Sequence, residues 1–168
     1  MRITMSCRIV LLVTCRTGND EWCAREIGDA VFGLDNSVVV EKAGFPGLLQ
    51  VYGCRDVDSI YRRAISREYG FVETIIPVHC IMGLQEVLEE RLECIDGLKM
   101  PREVKIRVRM RGVRELSTRV FALVLKNLRS RGVVHTPSAD ECLFIEGIKD
   151  RVYIGLGHCR TRIAVHGG

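Results

Sequence analysis

The chain has 168 residues, 47% of them apolar and 27% charged, with a formal net charge of +4. That balance fits neither a disordered nor a membrane-embedded chain and leaves room for one domain or two small ones with a real core. No run of about 18 apolar residues occurs, which argues against a transmembrane helix.

The charge is unevenly spread. Residues 1–98 carry 10 Lys/Arg against 15 Asp/Glu, whereas 99–131 carry 11 Lys/Arg against Glu103 and Glu115 alone. Residues 132–168 balance at four against four. The mild total therefore hides a basic block, the electrostatic footprint of a polyphosphate partner. A solvated basic face without a partner is the plainer alternative.

In chain order, Arg2 followed by the apolar run 9–13 and Cys15 has the outline of a secretory leader. Arg8 interrupts it and Thr14 is not the small residue a cleavage site needs, so 8–14 reads as a buried strand in a cytoplasmic protein. Asn19 and Asp20 are placed to cap a helix over 20–33, with Cys23, Ile27, Ala30, Val31 and Leu34 on its inner face. Two strands, 37–42 and 48–52, flank a turn at 44–47. Asp56 starts a second helix that Gly70 ends, and 71–78 makes a fourth strand. The order βαββαβ is the split pattern of a ferredoxin-like sandwich, here over residues 1–80.

The second half, 81–168, opens with an amphipathic helix over 84–95. A strand follows over 104–110, then a helix over 118–130 that buries Val120, Leu123, Val124 and Leu128, with Ser117 as its cap and Gly132 as its stop. Strands at 142–147 and 151–156 close the chain around a Lys149–Asp150 turn. The fold class is α+β, a ferredoxin-like domain followed by an α/β core.

The alternation in 104–111 is the sharpest signal. Val104, Ile106, Val108 and Met110 fall on one face, and Lys105, Arg107, Arg109 and Arg111 on the other. Side chains two apart along a strand stand about 7 Å apart, close to the step between successive phosphates. Four like charges in a row need acids from neighbouring strands or an anionic ligand. Arg114, Ser117, Thr118, Arg119 and Lys126 extend the row along the next turn and helix, whose N-terminus favours anions.

Catalytic signatures are missing: no P-loop, no glycine-rich dinucleotide turn, no metalloprotease pair and no nucleophile elbow. Four histidines, at 79, 135, 158 and 166, are scattered. Eight cysteines, at 7, 15, 23, 54, 80, 94, 142 and 159, form no C-x-x-C pair, which argues against zinc. Most sit in apolar runs and read as buried free thiols, with disulfides the alternative. No catalytic residue, metal or cofactor is assigned, and the chain reads as a binding protein rather than an enzyme. The alternatives are a small cysteine-dependent enzyme, using Cys80 or Cys159, and an interaction subunit whose basic face meets an acidic protein.

The segment KIRVRMRGVRELS at 105–117 resembles the THUMP signature: a basic strand, Arg-Gly, and a Ser opening a helix. The stretch from Thr136-Pro137 through 142–146 and 152–156 is similar to that family's closing strands, and Ile76-Pro77-Val78 to its domain junction. The resemblance is greatest to the stand-alone members that assist an RNA cytidine acetyltransferase in forming N4-acetylcytidine. It implies a tRNA-binding adaptor that presents the acceptor arm and 3′ end to a modifying enzyme, with Arg107, Arg109, Arg111, Arg114, Ser117 and Arg119 facing the RNA.

Overall fold

The structure is a computed structural model that describes residues 7–160; Arg2 and His166 lie outside the described residues. It is a mixed α+β protein with two sheets, folded as two compact units that meet in the chain at Pro77 and Val78.

In the first unit, β1 (Arg8–Cys15) lies between β3 (Leu48–Gly53) and β4 (Val72–Pro77), with β2 (Val39–Lys42) at the edge, giving the antiparallel order β2-β3-β1-β4. Helices α1 (Asp20–Phe32) and α2 (Val57–Ile65) bury Cys23, Ile27, Ala30 and Val31 together with Val57, Ile60, Tyr61 and Ala64 against Val10, Val13, Leu49, Val51 and Ile75. The apolar run over 9–13 is thus a central strand, with Val10, Leu11, Leu12 and Val13 wholly buried.

Local chemistry sets the helix ends. Asp56 accepts the Ser59 N–H at 3.0 Å and caps α2 as its position predicts. Asn19 occupies the cap position of α1 but makes no cap; its Nδ2 donates instead to the Thr17 carbonyl. Helix α2 stops at Ile65, before Gly70, because Ser66 turns back on the Arg63 carbonyl through both its N–H and its hydroxyl. Asp35, 6% exposed, ties two loops together. It accepts the Cys54 and Arg55 N–H groups at 2.6 and 3.1 Å, the Ser37 N–H at 3.0 Å and the Ser37 hydroxyl. Burial opposes its charge, but these donors outweigh burial and hold the carboxyl below its ordinary range.

The second unit contains β5 (Cys80–Gly83), α3 (Leu84–Leu88), α4 (Glu93–Asp96), β6 (Glu103–Arg111), α5 (Ser117–Ser130), β7 (Val134–His135), β8 (Glu141–Ile148) and β9 (Arg151–His158). The sheet order is β5-β9-β8-β6-β7, with β6 parallel to both its neighbours and β9 antiparallel to both of its own. Helix α5 lays Val120, Val124 and Leu128 over Val104, Ile106, Met110, Leu143, Ile145, Val152 and Ile154.

Three expectations change here. The helix predicted over 84–95 is two short helices, broken where Glu90 takes a left-handed φ of 60°. Strands β5 and β7 are too short to show a period. Ser117 is the first residue of α5 rather than its cap: Leu116 holds the cap position with no side-chain bond, after a 3-10 turn over Arg114–Leu116.

The cysteines also differ from the free-thiol reading. All eight pair, as Cys7–Cys54 and Cys15–Cys23 in the first unit and Cys80–Cys94 and Cys142–Cys159 in the second. The Cα atoms of each pair stand from 4.1 to 6.2 Å apart, the reach of a disulfide. Pairing depends on which strands and helices become neighbours, which spacing along the chain does not reveal.

Candidate nucleic-acid interface

Strand β6 carries the basic row because its period of two survives folding. Val104, Ile106 and Met110 are buried in the core, and Val108 is half-buried beside them. The odd positions stand opposite Cys142, Phe144, Glu146 and Ile148 of β8: Lys105 beside Cys142, Arg107 beside Phe144, Arg109 beside Glu146 and Arg111 beside Ile148.

The four cations are not equivalent. Arg107 and Arg109 are exposed, and Lys105 is half-buried. The Arg107 guanidinium lies 5.5 Å from the centroid of the Phe144 ring, a cation–π contact that fixes its direction. Among the described residues, no carboxylate comes within ion-pair distance of Arg107 or Arg109.

Arg111, expected on the binding face, is instead buried. Its Nη1 donates to Glu146 Oε1 at 2.9 Å, and the two side chains are 8% and 5% exposed. Burial pushes the Glu146 carboxyl up; the charge and hydrogen bond of Arg111 oppose this, and the charges of Arg109 and Arg107 also reach it. Glu146 is the acid from a neighbouring strand that the row requires. A lone Glu in an apolar run was its only mark in the sequence.

The extension beyond the strand divides similarly. Arg114, on the 3-10 turn, and Thr118 and Arg119, in the first turn of α5, are placed beside the strand's end; Arg114 and Arg119 are exposed, and Ser117 is half-buried. Lys126 is exposed and paired with Glu90 at 2.9 Å, so its charge is partly answered within the protein.

Fold geometry joins strand and helix in one groove of about 460 Å³, lined by Ile106, Arg107, Val108, Ser117, Thr118 and Phe121. The groove exists because β7 is so short. Its pairing with β6 ends at Val104, where Thr136 N–H donates to the Val104 carbonyl. The next outward N–H, that of Ile106, donates to His135 Nδ1 at 3.0 Å, and beyond it no strand among the described residues covers that edge. His135 therefore holds its proton on Nε2 when neutral, and its ring meets Phe121 edge-on, with centroids 5.2 Å apart at 83°. His135 and Phe121 escaped the sequence reading because a lone His and a lone Phe carry no pattern.

Among the described residues, no group of three or more His, Cys, Asp or Glu is gathered for a metal ion, and no helix is long and apolar enough to cross a membrane. With every cysteine in a disulfide, none offers the thiolate that a cysteine nucleophile needs.

No family description and no curated protein matches the sequence. Solved structures do match the fold. TrmN from Thermus thermophilus gives a TM-score of 0.66 at 12% identity over 95% of this chain and 48% of its own. PH1313 from Pyrococcus horikoshii Ot3 gives 0.58 at 13% identity over 89% and 54%. A predicted N6-adenine-specific DNA methylase from Listeria monocytogenes str. 4b F2365 gives 0.56 at 14% over 90% and 40%. The chain spans about half the length of these proteins or less, and the likeness is one of fold.

Proposed function

We propose that this chain is a tRNA-binding adaptor of the THUMP kind, without catalytic activity of its own, that presents the acceptor arm and 3′ end of tRNA to a modifying enzyme. The observation that carries this reading is a set of exposed cations, Arg107 and Arg109 on a strand whose opposite face is core and Arg114 and Arg119 at the turn and helix start that follow it, with Arg107 lining the groove. Such a surface suits backbone and shape recognition of RNA.

One neighbour in fold is named as a predicted N6-adenine-specific DNA methylase, and this chain matches under half of it. We read the matched part as the portion that delivers substrate. The order β2-β3-β1-β4 with two helices supports a ferredoxin-like first domain, and the second unit supports a THUMP core. By its sequence resemblance, the partner is an RNA cytidine acetyltransferase in the cytoplasm.

The test is filter binding of tRNA across a range of salt. The logarithm of affinity should fall linearly with the logarithm of salt, with a slope of about −0.7 to −0.9 per phosphate engaged. Salt-independent binding, or none, overturns the proposal. Pull-down of an acidic protein that total tRNA fails to displace favours the interaction-subunit reading instead.

A further inference from the structure

The Arg111–Glu146 pair is costly to bury, and an apolar pair of similar volume would hold the sheet as well or better. Ile148, which stands opposite Arg111 in register and is itself buried, makes such a pair physically reasonable at this place. What the ion pair adds is electrostatic. Glu146 stands beside Arg109 in register and bonds Arg111, so one carboxylate lies under the cationic row and draws its last member inward.

We infer that Glu146 is a specificity-determining residue of the binding face: by withdrawing Arg111, it confines phosphate contact on the strand to Lys105, Arg107 and Arg109. The inference rests on the nucleic-acid reading above. A uniform ladder of four cations grips any polyanion through counterion release, which is sequence-independent and shape-blind. With one cation withdrawn, that term weakens and the groove and helix start carry a larger share of the recognition. Without its partner, the Arg111 guanidinium is a buried lone charge, and its long stem lets it swing out to water, where it rejoins the row.

Three full-length proteins test this: wild type, Glu146→Gln, and the double variant Arg111→Met with Glu146→Met. Each is measured for salt-dependent binding to tRNA and to poly(U), and for elution from heparin. Glu146→Gln should elute from heparin at higher salt and steepen the slope by about 0.7–0.9. It should also gain more affinity for poly(U) than for tRNA, narrowing their ratio. The double variant, apolar and folded, should keep the wild-type slope. An unchanged slope and ratio in Glu146→Gln overturns the inference, and so does a double variant whose slope becomes shallower by one phosphate, since Arg111 then touches RNA in the wild type. Wild-type protein that binds heparin but no tRNA sinks the adaptor reading, while the heparin comparison still judges Glu146.

Discussion

Reversing the charge of Arg111 separates the structural end of the cationic row from its binding end. From the sequence, Arg109→Glu with Arg111→Glu should weaken tRNA binding and leave the melt nearly unchanged. The structure divides that expectation. Arg111→Glu places a second carboxylate in a site where the guanidinium was 8% exposed and 2.9 Å from Glu146. Removing one partner of a buried pair costs about 3–5 kcal/mol, and a like charge adds to it until one carboxyl takes up a proton. A loss of that size is a large share of the ~5–15 kcal/mol that holds a domain together. Arg107→Glu with Arg109→Glu alters exposed side chains, so its stability should stay within about 0.5 kcal/mol of wild type. Urea melts at pH 7, followed by far-UV circular dichroism, give both values, and filter binding gives affinity. The Arg111→Glu loss should shrink as pH falls, because protonation relieves the paired carboxylates. An Arg111→Glu protein as stable as wild type at pH 7, or an Arg107/Arg109 double variant that binds tRNA unchanged, refutes the reasoning.

Asp35→Ala should cost about 1–3 kcal/mol, since it removes the acceptor that ties the half-buried Cys54 N–H and the Ser37 and Arg55 N–H groups together, and urea melts measure it. Because the folded Asp35 pKa is depressed, its contribution is present above the unfolded carboxylate range and lost as pH falls through the folded value; Asp35→Asn should flatten that acid limb. Intact mass without reductant should be lower by eight hydrogens than the all-thiol chain, and dithiothreitol should lower Tm, each bridge contributing about 2–4 kcal/mol. Eight titratable thiols in the native protein would contradict the pairing. Gly147→Ala should destabilise by about 1–3 kcal/mol, as a Cβ there meets Met110 Sδ at 2.6 Å; thermal melts read it, and a wild-type Tm counts against the packing.

The sequence alone determined the features that depend on local periodicity. The alternation over 104–111 marks strand β6, with its apolar face toward the core, because side chains alternate on any strand wherever it is placed. Asp56 as a cap and the run 9–13 as a buried strand were legible for the same reason: each depends on a few adjacent residues. The break at Glu90 and the failure of Ser117 to cap were not, because the apolar period runs unbroken through a local turn in one case and a preceding 3-10 turn took the cap's place in the other.

Only the tertiary structure decided which cations are free. Lys105, Arg107, Arg109 and Arg111 read identically along the strand, yet Arg111 is neutralised by a residue 35 positions away. That distinction comes from the register of β6 against β8, as the cysteine pairing comes from other long-range neighbours. Register is a property of two segments together, and no single segment encodes it.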